Sequence, residues 1–129
     1  MEKDKFNELY AEEIYDPAKP DLLKYQMRKI KLLNRYNKTN PTKLGFWRRH
    51  NILKKALGSF GESIYLEPPV HANFGLSNVH LGSHVYANFN LTCVDDGEIF
   101  IGDYTMIGPN QSNKYKYVDL ETKTISLHL

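Results

Sequence analysis

The sequence has very little cysteine and no long apolar run. Cys93 is its single cysteine, so an intrachain disulfide is excluded and a reducing, cytoplasmic setting is expected. No apolar stretch approaches the ~18 residues that a transmembrane helix needs. Residues 1–6 lack the apolar core of a signal peptide. We therefore expect a cytoplasmic protein of 129 residues, one domain or a small domain with a helical appendage, with no membrane partner.

Acidic residues are absent from one long stretch. Residues 28–55 contain ten lysines and arginines and no aspartate or glutamate. The stretch is either a solvated helical face or a surface that attracts an anionic partner, such as a phosphorylated cofactor, a nucleic acid or a membrane surface. Its basic residues do not alternate with aromatic residues as in an RNA-stacking platform. A nucleic-acid partner is therefore not predicted.

Residues 79–108 carry a repeat of paired small or aliphatic residues. The first members recur at intervals of six, six, eight and six: Val79, Val85, Leu91, Ile99 and Thr105. This period matches neither an α-helix nor simple alternation. It predicts a hexapeptide-repeat solenoid, in which three short strands make one coil and the coils stack into a parallel β-helix. Cys93 holds an inward position and is predicted to be a small buried hydrophobe rather than a nucleophile.

The chain before and after the repeat follows other patterns. We predict helices over residues 3–12, from an Asp21 cap to Tyr36 with Leu22, Leu23, Met27, Ile30 and Leu33 at helical spacing, and from residues 41–42 to a C′ glycine at Gly58. After Asn110 the period stops, and continuing it would bury the polar Gln111. The predicted organisation is a helical segment over residues 1–60, an incomplete β-helix over 61–110, and a divergent tail over 111–129, either a marginal hairpin or disordered.

Several motifs resemble the maltose and galactoside O-acetyltransferases, members of the hexapeptide-repeat acyltransferases. They are Glu67-Pro68-Pro69, Ala87-Asn88-Phe89-Asn90, Val94-Asp95-Asp96 and Ile107-Gly108-Pro109-Asn110. The resemblance covers about residues 1–110. It implies a mainly β fold, a left-handed parallel β-helix preceded by a helical segment, and a homotrimer with sites between subunits. It also implies transfer of acetyl from acetyl-CoA to a saccharide hydroxyl, without a metal.

The resemblance also assigns site residues. Asn88 matches an asparagine beside the reacting centre, where it would support the oxyanion. Asp96 matches an acid that binds sugar hydroxyls, and Asn73 occupies a small polar sugar-contact position. Asp16 lies one residue from a sugar-binding acid of some members. Residues that bind the cofactor cannot be assigned.

The general-base histidine of that family is missing from the pattern. It lies in a His-Pro loop followed by coils that bind CoA, and this sequence has no His-Pro dipeptide. We therefore expect a shortened family member that is weak or inactive as an enzyme. The alternative is a non-catalytic trimeric sugar-binding or scaffold module.

Other groups could in principle replace the missing base. We expect His71, His80 and His84 to be surface or trimer-contact residues, and His128 lacks the family motif. Asp95 and Asp96 could form an acid/base pair, but adjacent residues on a strand point in opposite directions. We expect them in a solvated corner loop that protrudes from the coil, with Asp96 as a sugar contact.

Overall fold

Two helices precede the strands in the computed structural model, which describes residues 20–114, 117–118 and 124–125. Helix α1 spans Pro20–Asn37 and helix α2 spans Lys43–Ala56. The Thr42 side chain caps α2 by accepting a hydrogen bond from the Gly45 amide at 3.0 Å. Both helices match the predicted segments, although Asp21 lies within the first turn of α1 rather than capping it. The helix predicted over residues 3–12 lies outside the described residues.

One side of α1 packs against the rest of the protein, and this buried side is narrower than predicted. Its buried residues are Leu22, Tyr25, Leu33 and Tyr36. Leu23 and Met27 were expected on the packed side, but both are exposed. The prediction counted aliphatic residues only, whereas the two tyrosines place much of the apolar contact on the neighbouring side of the helix.

The end of α2 meets the first coil closely. Gly58 stands one residue beyond the C-cap Leu57, as predicted. It is needed for space, because a Cβ atom there would lie 2.7 Å from the His80 ring and 2.8 Å from the Ser77 carbonyl oxygen. Neither described helix is long and apolar enough to cross a membrane.

Short parallel strands make up the rest of the described chain. They are β1 (Tyr65–Leu66), β2 (Val70–Ala72), β3 (Val79–Leu81), β4 (Tyr86–Ala87), β5 (Leu91–Val94), β6 (Ile99–Ile101), β7 (Met106–Ile107), β8 (Ser112–Lys114), β9 (Tyr117–Val118) and β10 (Thr124–Ile125). Each strand pairs in parallel with the third strand after it, which gives the sheets β1-β4-β7-β10, β2-β5-β8 and β3-β6-β9. The chain therefore visits three sheets in rotation, and about 20 residues separate partners such as Tyr86 and Met106.

The predicted inward residues form the core. All of the following are buried: Val79, Leu81, Val85, Ala87, Leu91, Cys93, Ile99 and Ile101. Leu33, Tyr36, Ile52 and Leu53 of the helices belong to the same cluster. Burial raises the pKa of the Cys93 thiol, so this cysteine is held as a neutral hydrophobe.

The strands continue beyond the point where the repeat in the sequence stops. The solenoid was predicted to end at residue 110, but the β8, β9 and β10 backbones pair with β5, β6 and β7. Parallel ladders use backbone groups, so they do not require the hexapeptide pattern of side chains. Gln111 is buried, with its Nε2 donating to the Pro109 carbonyl at 3.2 Å and its Oε1 without a partner among the described residues.

Left-handed backbone conformations recur at the corners between sheets. Ser63, His84 and Tyr104 have positive φ at one corner, and Asn90 and Asn110 at another. Asparagine tolerates this conformation better than most residues. The repetition at intervals of 20 or 21 residues shows that each coil turns in the same way as the coil beside it.

Candidate functional site

One corner of the solenoid brings two of the predicted site residues together. Asn73 follows β2 and Asp96 follows β5, the next strand of the same sheet. The Asn73 Nδ2 donates a hydrogen bond to Asp96 Oδ1 at 2.8 Å. Among the described residues, Asn73 Oδ1 and Asp96 Oδ2 have no partner. This Asn73–Asp96 corner therefore presents a carboxylate oxygen and an amide oxygen that can accept hydrogen bonds from hydroxyl groups.

Asp95 supports this corner from inside. Its carboxylate accepts hydrogen bonds from the amides of Phe74 at 2.7 Å and Leu76 at 3.0 Å. The Asn78 Nδ2 donates to the Asp95 carbonyl oxygen at 2.9 Å. Burial raises the pKa of Asp95 to about 6, against the opposing effect of the backbone hydrogen bonds.

The buried position of Asp95 corrects the expectation of a solvated, protruding loop. Asp95 is fully buried because the turn after β2 has backbone N–H groups that need acceptors inside the protein. Asp95 and Asp96 face opposite ways, as predicted, since one reaches the buried turn and the other reaches Asn73. An acid/base pair of these two carboxyl groups is therefore excluded.

Helix α1 lies over the same corner. Its Gln26 Nε2 donates to the Asn73 carbonyl oxygen at 3.0 Å, and Asn37 pairs with both the amide and the carbonyl of Val70 at 2.8 Å. A groove of about 280 Å³ runs between α1 and strands β2 and β5, with Gln26, His71 and Asn73 in its lining. Sequence reasoning missed Gln26, because no local pattern in the sequence marks its contact with the corner.

Asn88 lies at a different corner from Asp96. It follows β4, and its Oδ1 accepts a hydrogen bond from the Phe89 amide at 2.8 Å. Its Nδ2 has no partner among the described residues. The four residues of β5 separate this corner from Asp96, a distance of about 13 Å. One chain thus unites Asn73 with Asp96 but keeps Asn88 apart, and Asp16 lies outside the described residues.

Among the described histidines, His80 has the most contacts. Its Nδ1 lies 2.8 Å from Ser59 Oγ and its Nε2 lies 2.6 Å from Glu98 Oε2. Its ring stacks on Phe100 with centroids 4.6 Å apart. These contacts link three neighbouring coils on the outer side of the β3-β6 sheet, so His80 points outward, as predicted, and acts as a tie between coils.

The other described solenoid histidines also lie on the outside. His71 Nε2 is 3.2 Å from Asn90 Oδ1, and Asn90 Nδ2 donates to Asn110 Oδ1 at 3.0 Å. The His84 ring stacks on Tyr104, with centroids 4.8 Å apart. Within the described part of the chain, no three His, Cys, Asp or Glu side chains are grouped to hold a metal ion. His128 lies outside that part.

Comparisons with known proteins agree on one group of enzymes. Residues 9–61 match the maltose acetyltransferase hexapeptide capping motif. A galactoside O-acetyltransferase of Lactococcus lactis is 42% identical over 105 residues, which cover 81% of this chain and 50% of that protein. The chain spans about half the length of the curated relatives that it matches.

Solved structures give the same result. A maltose O-acetyltransferase from Clostridium difficile superposes with a TM-score of 0.71 at 30% identity, covering 76% of this chain and 51% of that one. A galactoside acetyltransferase in complex with coenzyme A superposes with a TM-score of 0.61 at 29% identity, covering 73% of this chain and 48% of that one.

Proposed function

The chain belongs to the hexapeptide-repeat family of maltose and galactoside O-acetyltransferases, and from this we propose that it supplies the saccharide-binding part of a sugar O-acetyltransferase. The observation that carries the proposal is the Asn73–Asp96 hydrogen bond of 2.8 Å. This bond fixes the direction of both side chains and leaves one oxygen of each available. Sugar hydroxyls donate well to such oxygens, and a carboxylate acceptor makes the stronger bond.

The helix above this corner supports the same assignment. Gln26 holds the Asn73 backbone through its Nε2, so its Oε1 is left as a third acceptor beside the groove. These three acceptors are neutral or anionic, and the described lining of the groove contains no lysine or arginine. This composition suits a neutral polyhydroxylated ligand better than an anionic one. Asp16, a weaker candidate from the resemblance, remains a sequence prediction.

The acetyl donor in this proposal is acetyl-CoA. A relative of similar fold has been solved in complex with coenzyme A. In the reaction, a base would take the proton of the sugar hydroxyl while the hydroxyl oxygen attacks the thioester carbon. The tetrahedral intermediate would then break its C–S bond and release coenzyme A as a thiol, which recovers the proton from the base. The developing oxyanion needs a donor, and we assign this role to the Nδ2 of Asn88, which has no partner among the described residues.

A second copy of the chain completes the site in this proposal. Asn88 and Asp96 lie at different corners, about 13 Å apart along β5, so one subunit does not place both on one acetyl acceptor. A trimer of left-handed solenoids would set one corner of a subunit against another corner of its neighbour. Exposed apolar side chains beside Asn88, namely Tyr86, Phe89 and Met106, favour an interface there.

The proposed activity of these 129 residues alone is saccharide binding with weak or no acetyl transfer. The sequence contains no His-Pro dipeptide, and each described solenoid histidine contacts its own coil or its neighbours. The second candidate function, a trimeric sugar-binding module without catalysis, has the same site. Turnover separates the two.

Thiol release from acetyl-CoA, followed with a chromogenic disulfide, tests turnover with maltose, glucose and a galactoside. Saccharide titrations by calorimetry or NMR test binding in parallel. We expect Asp96→Asn to weaken saccharide binding at least about tenfold, because it removes a charged acceptor. Glu62→Gln is the matched control, since Glu62 is an exposed acid at another corner.

The outcomes separate the possibilities. Binding that is lost with Asp96→Asn and kept with Glu62→Gln supports the proposed site. Saccharide-dependent thiol release shows that a base is present, whereas binding without release favours the sugar-binding module. If no saccharide binds, or if the two variants behave alike, the assignment of this corner is wrong.

A further inference from the structure

A second groove, unrelated to the Asn73–Asp96 corner, lies between α1 and α2. Its volume is about 700 Å³, within the range of small-molecule sites. Leu32 and Ile52 supply apolar surface, and the Trp47 indole forms one wall. We call it the α1–α2 groove.

The rim of this groove is entirely cationic. Its charged lining residues are Arg35, Lys38, Arg48 and Lys55. All four are exposed, and none of their side chains makes an ion pair or hydrogen bond with another described residue. No acidic residue occurs between positions 28 and 55, so neighbouring sequence does not neutralise them. Four cations without a side-chain partner in the described part of the chain surround one concavity, and together they attract anions strongly.

A fifth cation near the groove, Arg49, has a structural role instead. Arg49 is only 5% exposed. Its guanidinium donates to Thr39 Oγ1 at 2.7 Å and to the Tyr65 hydroxyl at 2.8 Å. Arg49 therefore holds α2 against the loop and the first coil, whereas the four rim cations have no such task.

The neutral polar side chains of the groove each donate a hydrogen bond to the protein. Thr39 Oγ1 donates to the Tyr36 carbonyl at 2.7 Å and accepts from Arg49. Asn51 Nδ2 donates to the Trp47 carbonyl at 3.0 Å. A ligand therefore meets mainly free positive charge and apolar surface, a combination that selects an anion with a flat apolar part.

Trp47 supplies the flat surface. It is the only tryptophan in the sequence and is 64% exposed, which is unusual for so large an apolar side chain. An aromatic base stacks favourably on an indole and tolerates cations around it.

We propose that the α1–α2 groove binds a nucleoside polyphosphate, with the base on Trp47 and the phosphates between the rim cations. The cations surround a single groove and do not extend along a surface. The proposed ligand is therefore one small molecule that carries both the base and the phosphates. The same chemistry occurs in a free nucleotide and in the nucleotide half of a coenzyme.

The test uses the fluorescence of the single tryptophan. Selective excitation of the indole in titrations with ATP, ADP and inorganic pyrophosphate is expected to show saturable quenching by the nucleotides and weaker binding of pyrophosphate. Coenzyme A is titrated in parallel, and tighter binding of coenzyme A than of ADP identifies the coenzyme as the source.

Two adjacent lysines provide matched variants. Lys55 lines the groove and Lys54 does not, although both are exposed in the last turn of α2. Lys55→Gln is expected to weaken ATP binding at least about tenfold, and Lys54→Gln by less than about twofold, because solvent screens a charge outside the groove. Circular dichroism of both variants checks that the helices are intact.

Three results would overturn the proposal. The first is an equal effect of the two lysine variants, which would mean nonspecific attraction. The second is pyrophosphate binding as tight as ATP binding, which would remove the role of Trp47. The third is a preference for long single-stranded oligonucleotides with a steep salt dependence, which would indicate nucleic acid instead.

Discussion

Two polar surfaces of this protein differ in how many of their polar and charged groups are hydrogen-bonded within the protein. At the Asn73–Asp96 corner, backbone and side-chain groups form a connected set that includes Asp95, Gln26 and Asn37. In the α1–α2 groove, four cations have no partner among the described residues. The corner is thus part of the hydrogen-bonded fold, and only a few of its acceptor oxygens have no partner among the described residues. The four cations of the groove contribute little to the fold, and they surround an apolar surface that includes Trp47.

The largest loss of stability is expected from removing the buried carboxylate that supports the Asn73–Asp96 corner. Asp95→Ala would leave the Phe74 and Leu76 amides without acceptors. We expect a loss of about 3–5 kcal/mol in the free energy of unfolding, because each orphaned buried amide costs roughly 1–3 kcal/mol. Urea unfolding followed by circular dichroism measures it. Asp96→Ala is the control, and an equal loss there would show that Asp95 is not the support.

A somewhat smaller effect is expected where α1 joins the solenoid. Asn37→Ala removes both hydrogen bonds to Val70. We expect a loss of about 2–4 kcal/mol, since two half-buried backbone groups would lose their partners. The same unfolding measurement applies. Asn34→Ala tests the helix itself, because Asn34 is exposed on α1, and a matching loss there would contradict the role of Asn37.

The charge of Asp95 gives a pH-dependent effect of intermediate size. The pKa of this carboxyl rises from 3.8 to about 6 on folding, so the folded chain retains the proton over that interval. The contribution to stability is therefore full below about pH 4 and is lost as pH rises through about 6, by roughly 3 kcal/mol.

Asp95→Asn isolates this effect, since the amide does not titrate. The difference in unfolding free energy between the original protein and the variant should fall from pH 4 to pH 7. A difference that rises over this range would mean that the two amide hydrogen bonds favour the ionised form more than burial opposes it.

The smallest change in stability is expected from removing cations of the α1–α2 groove. Lys38→Gln and Arg48→Gln remove groove cations that have no partner among the described residues. The free energy of unfolding should change by less than about 0.5 kcal/mol for each. Thermal unfolding without ligand tests this, and a loss comparable to that of Asn37→Ala would show that the groove is structural.

The sequence predicted the regular part of the fold well. Inward positions such as Val79 and Leu91 could be read from their spacing, because stacking coils repeat the same environment. Thr42 and Gly58 marked the ends of α2. The motif resemblance named Asn73 and Asp96 separately as sugar contacts, and the structure brings these two side chains together because both follow strands of one sheet.

The rest depended on contacts that spacing does not encode. Asp95 and Asp96 are adjacent and chemically alike, yet one binds a buried turn and the other faces outward. Gln26 reaches the corner because of how α1 crosses the coils, which no local pattern specifies. The strands after Gln111 pair through their backbone, so their side chains gave no sign of it.

The three sheets also determine how the molecule would respond to mechanical force. Every ladder hydrogen bond joins one coil to the next, so a pull along the stacking axis loads these bonds directly. Coils should detach in turn from the loaded end, each releasing about 20 residues or roughly 70 Å of extended chain. Under force the solenoid should therefore unfold one coil at a time, in steps of equal length, rather than in a single cooperative event.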